Sequence, residues 1–323
     1  MNKVKLGIVG YGNLGKGLET NIKANEDMEL VGIFSRRDPK TLGTDSPAYH
    51  YDEMNDFIDK IDVMLLAGSS QHDILNQTNE ICKNFNTLDA FDTHSKIPDY
   101  YKEIDKIAKD NDHLSLISAG WDPGLFSLNR VFFESLLPHG DTYTFWGKGV
   151  SQGHTDAIKS IEGVRDAVQY TIPIEENMDR IRNGENPILS TREKHRRLCY
   201  VVIEEGYDKD EISNQIKTMK DYFDEYDTEV KFISQEELIK NHSSMPHGGT
   251  VLRNGISGKD NNQIIEFSLK LDSNPEFTSA VMVSYARALK KLYDEGKRGA
   301  LTVLDVPISK LSNRPLDELL KMI

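Results

Sequence analysis

The residues with the most specific chemistry come first in the chain: Gly10-Tyr11-Gly12-Asn13-Leu14-Gly15 closes an apolar run, 4–10, as a G-x-G-x-x-G turn. After a parallel strand such a turn binds a dinucleotide pyrophosphate. Gly10 permits the tight turn, Gly12 removes a side chain where phosphate approaches, and Gly15 lets the next helix pack closely. The second expected strand, 29–35, ends in Ser35-Arg36-Arg37, where an NAD site would hold an acid for the ribose 2′-hydroxyl. A hydroxyl and two guanidiniums suit a 2′-phosphate, so NADP is the expected cofactor; the plainer alternative is a solvated arginine pair with Asp38 as surface partner. Two carboxylates follow, Asp92 ending the run 87–92 and Asp122 just beyond the run 114–119. Ligands of open α/β sheets bind beyond the carboxyl ends of the strands, so both acids are placed for chemistry at the nicotinamide. Paired acids there suit an amine better than an alcohol, because they hold an ammonium and move protons while an imine forms and hydrolyses. Each could instead be structural, Asp92 capping the turn into 96–100 and Asp122 serving as a loop acid before Pro123.

The elements that must position these groups are legible as rhythm. β-rich runs at 4–10, 29–35, 62–68, 87–92 and 114–119 alternate with helical patterns at 16–24, 72–84 and 100–109. That alternation predicts a doubly wound α/β fold, a Rossmann-type parallel sheet with helices on both faces. After Trp121-Asp122-Pro123-Gly124 the pattern changes: a helix at 125–137, strands at 142–150, 165–175, 197–204 and 229–234, and helices at 155–161 and 209–221. Runs 250–258 and 263–271 flank a turn-rich Lys259-Asp260-Asn261-Asn262 and predict an antiparallel pair, giving a second, α+β domain. Phe277, Val281, Tyr285, Ala288 and Leu292 then recur at helical spacing in 275–294. The expected domains are 1–121 for the dinucleotide, 122–274 for substrate and dimerisation, and 275–323 as a helix and tail returning to the first.

Composition narrows the classes of partner. The chain of 323 residues carries a formal charge of −13, which argues against a nucleic-acid backbone as ligand. Its apolar runs, such as 63–68, are far shorter than a bilayer span, and the opening strand lacks the features of a cleavable signal, so a cytoplasmic enzyme without membrane contact is expected. Cys82 and Cys199 form no metal-spaced motif, and no metal is expected.

A substrate with an amino group and carboxylates also needs donors, and the second domain offers Gln152-Gly153, Thr171, Arg197 and His247 on or beside its strands. Spacing alone does not select them. Trp121 and Trp146, the only two tryptophans, stand near the domain junction as core residues or as a wall for an aliphatic chain.

Taken together, Gly10 to Gly17, Ser35-Arg36-Arg37, Phe91-Asp92-Thr93-His94, Ser118-Ala119-Gly120-Trp121-Asp122-Pro123-Gly124 and Trp146-Gly147-Lys148-Gly149-Val150-Ser151-Gln152-Gly153-His154 resemble the meso-diaminopimelate dehydrogenase family. The resemblance runs from end to end. It implies NADP-dependent, reversible oxidative deamination of the D-centre of meso-2,6-diaminopimelate to L-2-amino-6-oxopimelate and ammonia, in lysine and cell-wall precursor synthesis, by a homodimer. Carried over, it implies Asp92 and Asp122 at the reacting amino group, the Gln152-Gly153 backbone at the neighbouring carboxylate, and Trp121 and Trp146 as walls. It further implies Thr171, Arg197 and His247 at the distal carboxylate, Asn274 near the distal amine, and Ser69 and Ser70 among the cofactor contacts. Competing expectations are another two-domain NADP oxidoreductase and a non-catalytic NADPH sensor. Sugar oxidoreductases of the first kind carry a Glu-Lys-Pro segment where this chain has Phe91-Asp92-Thr93-His94-Ser95-Lys96.

Overall fold

A computed structural model describes residues 3–70 and 72–323. The chain divides into two compact units, Met1–Leu128 with Pro275–Ile323, and Asn129–Asn274. The division between residues 128 and 129 falls inside a helix, Leu125–Leu136.

In the first unit β1 (Val4–Val9), β2 (Met28–Ser35), β3 (Ala48–His50), β4 (Val63–Leu66), β5 (Thr87–Asp89) and β6 (Leu114–Leu116) lie in the order 3-2-1-4-5-6, with a late strand, Gly299–Leu301, beyond β6. Neighbours pair in parallel throughout. This is the Rossmann order, with its switch point between β1 and β4. Helices α1 (Asn13–Lys23), α2 (Ile74–Ile81) and α3 (Ile97–Asp110) supply crossovers, and both faces of the sheet are buried. Leu6, Ile8 and Leu65 pack on one face with Leu18 and Ile22 of α1 and with Tyr285 and Leu289 of helix Asn274–Asp294. Val9, Met64 and Leu66 pack on the other with Ile74 and Ile81 of α2 and Ile104 of α3. Alternation along each strand thus meets apolar partners on both sides, as a fully buried parallel sheet requires.

Four strands, β1, β4, β5 and β6, are shorter than expected, and the released residues form the loops that carry the candidate chemistry. The run 87–92 leaves the ladder after Asp89, whose carboxylate accepts the backbone N–H groups of Phe91 and Ser118, both at 2.9 Å. Backbone donors that would have extended β5 and β6 are satisfied by one side chain instead.

Helix α4 (Leu125–Leu136) spans the division between the units. The second unit comprises β7 (His139–Trp146), β8 (Gly149–Val150), β9 (Val164–Pro173), β10 (His195–Ile203), β11 (Asp227–Phe232), β12 (His247–Ser257) and β13 (Asn261–Leu271), in two sheets ordered β11-β10-β9-β8 and β13-β12-β7. The single strand expected over 142–150 is two, because the chain turns at Gly147 with φ +108°, where a Cβ would lie 2.2 Å from the Thr171 carbonyl oxygen. Helix α5 (Gln152–Lys159) begins three residues before the expected 155, so Gln152 and Gly153 form its first turn. Between β12 and β13 the antiparallel register is continuous from His247↔Leu271 to Ser257↔Asn261.

Candidate active site

The first unit presents the turn after β1 as a cradle. Gly10 adopts φ +93°, a side chain at Gly15 would lie 2.4 Å from the Gly10 carbonyl oxygen, and a Cβ at Gly12 would meet nothing within 4 Å. The glycines therefore divide the work as the motif demands: one turns the chain, one seats α1, and one leaves open space before the helix N-terminus. Asn13 and Leu14 begin α1. A concavity of about 310 Å³ at the switch point is lined by Gly10, Tyr11, Gly12, Ser35, Arg36 and Arg37 among others, and reaches Ser69 on the far side. Ser70 lies just beyond, its Oγ accepting the backbone N–H of Asp92 at 3.3 Å.

The basic end of β2 is held by partners that are not its sequence neighbours. Arg36 donates to Asp73 Oδ1 at 2.7 Å, and the other oxygen of Asp73 accepts the Ser69 N–H at 3.0 Å. Arg37 donates to the Tyr11 carbonyl oxygen, while its backbone N–H donates to Ser35 Oγ at 3.1 Å. Asp38 is not the surface partner, since its carboxylate accepts the Lys40 N–H and starts a short 3₁₀ turn. Two guanidiniums and a hydroxyl beside a glycine turn fit an adenosine 2′-phosphate. Behind the turn, the Tyr11 hydroxyl donates to buried Glu19. Burial alone would raise the Glu19 pKa, but hydrogen bonds from Lys23, Ser46, Tyr11 and Thr44 outweigh it and lower it to about 2.

Asp92 and Asp122 stand beyond the ends of β5 and β6, neighbouring strands of one sheet. Asp92 is exposed, and the turn that follows it begins at Thr93 without a side-chain cap, so Asp92 does not serve as the cap that its position first suggests. Asp122 is half-buried in a turn closed at its base by Gly120 and Gly124. The Gly120 N–H donates to the Pro123 carbonyl oxygen at 2.9 Å, and a Cβ at Gly124 would lie 1.7 Å from the Gly120 oxygen. Trp121 is buried edge-on against Phe126, with ring centroids 5.2 Å apart. The turn that carries Asp122 therefore stands on a closed, tightly packed base.

The second unit gathers the remaining residues around β8. Gly149 pairs with Thr171, and a Cβ on Gly149 would lie 2.5 Å from the His247 ring. Thr171 and Arg197 sit opposite each other on β9 and β10, both buried, with Arg197 Nη1 donating to the threonine hydroxyl. Arg197 makes no salt bridge among the described residues, and its Nε is buried without a hydrogen-bond partner. Burial pushes its pKa below the ordinary guanidinium value, with Tyr226 opposing that shift. The Gln152 side chain donates to Met245 Sδ at 3.7 Å, and the Asn274 backbone N–H donates to the Met245 carbonyl oxygen at 2.9 Å. Gly153 faces open space at the N-terminus of α5, where backbone N–H groups favour an anion. Trp146 is 37% exposed and stacks on His195 at 5.3 Å, donating its backbone N–H to His195 Nε2 at 2.7 Å.

Asp73, Asp89, His195 and Tyr226 support these groups and carry no motif. Each has at least one partner distant in sequence, Arg36 for Asp73, Ser118 for Asp89, Trp146 for His195 and Arg197 for Tyr226, so pattern could not select them. The described residues hold no group of three or more His, Cys, Asp or Glu side chains able to bind a metal, and no helix long and apolar enough to cross a membrane.

A family model, the diaminopimelic acid dehydrogenase C-terminal domain, matches residues 120–273. The chain is 56% identical to the meso-diaminopimelate D-dehydrogenase of Ureibacillus thermosphaericus and 41% identical to that of Corynebacterium glutamicum, covering 99% of both chains in each case. Among solved structures it is similar to a meso-diaminopimelate dehydrogenase mutant from Clostridium tetani with DAP, at TM-score 0.95 and 50% identity over 99% of this chain and 100% of that one. It is also similar to the C. glutamicum DAP dehydrogenase in complex with DAP, at TM-score 0.93 and 40% identity, and to an engineered D-amino acid dehydrogenase bound to NADP+, at 0.88 and 39%, with 99% of both chains covered in each. With relatives this similar over their full length, and with the glycine turn and paired strand-end acids in place, the chain belongs to the meso-diaminopimelate dehydrogenase family.

Proposed function

We propose that the protein catalyses the NADP-dependent, reversible oxidative deamination of the D-centre of meso-2,6-diaminopimelate, giving L-2-amino-6-oxopimelate, ammonia and NADPH. The observation that carries this reading is Arg197, a buried guanidinium hydrogen-bonded to Thr171 and paired with no acid among the described residues. Such a charge calls for an external carboxylate, and a simple D-amino acid has no second carboxylate to offer. A relative carries the same residue types at these positions. The C. tetani protein solved with DAP has a glutamine, a threonine, an arginine, a proline, a histidine and an asparagine replaced, and the same types at the same spacing stand here as Gln152, Thr171, Arg197, Pro246, His247 and Asn274.

In this reading Gly10, Tyr11, Gly12, Asn13, Leu14 and Gly15 hold the pyrophosphate, Ser35, Arg36 and Arg37 the 2′-phosphate, and Ser69 and Ser70 the path toward the nicotinamide. NADP held there would supply the hydride acceptor for the D-centre. Asp92 and Asp122 hold the ammonium, remove its proton so that the nitrogen lone pair can form the imine, and manage the water that hydrolyses it. Backbone amides of Gln152 and Gly153 take the neighbouring carboxylate. Thr171, Arg197 and His247 take the distal one, Asn274 the distal amine, and Trp121 and Trp146 wall the carbon chain. A meso compound offers two amino groups of opposite hand, so holding both ends decides which hydrogen can leave. A homodimer in the cytoplasm belongs to the same reading, and exposed Val131, Phe132 and Leu136 on α4 offer an apolar face for it.

The test is NADP reduction with meso-, LL- and DD-diaminopimelate side by side. Ammonia release with the meso isomer and none with the LL isomer is expected. No turnover with the meso isomer would overturn the proposal.

A further inference from the structure

Arg197 is compensated in an unusual way. The acids flanking Tyr226 engage elsewhere: Glu225 accepts from the Thr191 hydroxyl at 3.5 Å, and Asp227 lies 3.5 Å from Arg192. It is the Tyr226 ring that meets the buried charge, with Arg197 Cζ 3.8 Å from its centroid. The backbone that carries the ring is firmly placed. Tyr226 directly precedes β11, which pairs with β10 in the register Arg196↔Asp227 and Arg197↔Thr228, and its N–H donates to the carbonyl oxygen of fully buried Phe223 at 3.0 Å.

The choice of a ring has a consequence for binding. A carboxylate partner would lie in the guanidinium plane and occupy the donors that an incoming carboxylate needs, whereas an aromatic face stabilises the charge from above and leaves the in-plane donors alone. We infer that Tyr226 is a positioning residue that sets specificity, clamping the face of Arg197 so that its in-plane donors stay available for the distal carboxylate of the substrate. This rests on the function proposed above.

Three variants and a double-mutant cycle test it. Tyr226→Phe keeps the ring face and is expected to hold KM for meso-diaminopimelate within about 3-fold. Tyr226→Leu keeps bulk without the ring and should raise KM about 10-fold, a cation–π loss of ordinary size, with kcat changed less than about 3-fold. In an Arg197→Met background the leucine substitution should change KM no further. Equal behaviour of the Phe and Leu variants, or the same rise in KM with Arg197→Met, would overturn the inference and reduce Tyr226 to packing. Thermal unfolding of the Arg197→Met, Tyr226→Leu and doubly substituted proteins, without substrate, reads the contact independently. Non-additive shifts in Tm are expected, and additive ones would overturn the clamp. If the wild type fails to oxidise diaminopimelate while the Tm shifts are non-additive, the proposed substrate is overturned and the clamp on Arg197 is upheld.

Discussion

The carboxylate of Asp89 accepts the backbone N–H of Ser118 at 2.9 Å, tying the end of β5 to the end of β6 from inside the sheet. The same oxygen accepts the Phe91 N–H, and the second oxygen accepts the Tyr100 hydroxyl. One buried side chain thus sets the origin of both loops that carry Asp92 and Asp122. Burial pushes its pKa up, against the hydrogen bonds from Ser118, Tyr100, Phe91 and Thr78. Asp89→Ala would leave two buried N–H groups unsatisfied and should destabilise the protein by on the order of 3 kcal/mol. Asp89→Asn keeps an acceptor for both and should cost far less. Urea unfolding of the two variants checks this, and equal losses would show that the charge, not the backbone ties, matters.

Coenzyme choice should follow the arginines. Arg36→Ala with Arg37→Ala removes two charge-assisted contacts proposed for the 2′-phosphate, so NADP affinity should fall about 100-fold with little change for NAD. Titration of each coenzyme by fluorescence measures both. Parallel losses would mean that the pair only shapes the pocket.

Single substitutions Asp92→Ala and Asp122→Ala should each lower turnover by about two to four decades, the range of general acid-base groups. NADPH binding should survive, because the glycine turn and the end of β2 are untouched. Turnover within threefold of wild type in both variants would assign them to loop structure.

Acid should unfold the second unit through two histidines. Burial, with Arg197 adding repulsion, lowers the His154 pKa to about 4 and that of His195 to about 3, from 6.5. Folding therefore disfavours their protonated forms. The unfolded chain takes up protons first as pH falls, so their contribution is complete above pH 6.5 and is lost progressively toward pH 3. His195→Gln should flatten that stretch of the stability–pH curve measured by thermal melts. An unchanged slope would place the acid sensitivity elsewhere.

Much of the first unit was legible because its signals are local. Alternation gave the strands, and the glycine turn carries its own geometric logic, as the Gly10, Gly12 and Gly15 environments show. Strand ends were less legible, since β5 stops where a side chain, Asp89, takes over backbone donors, and the β-rich character of the run 87–92 does not register that. The second unit was harder. Arg197 sits in Lys194-His195-Arg196-Arg197, a run that looks like solvated charge, and it is buried between Thr171 on β9 and the Tyr226 ring, neither of which is near it in sequence. The break at Gly147 depends on the approach of the Thr171 carbonyl, a contact with no trace in local sequence.

The late strand Gly299–Leu301 and the helix Asn274–Asp294 bear on how the chain is made. Synthesis proceeds from the N-terminus, so β1 to β6 leave the ribosome long before Val281, Tyr285 and Leu289 exist to cover Leu6, Ile8 and Leu65. The intervening unit, 129–274, is synthesised while that apolar face has only Leu18 and Ile22 of α1 to cover it. A nascent chain paused near residue 274 is therefore a half-sheathed sheet, the species that chaperones bind and that aggregates when they are scarce.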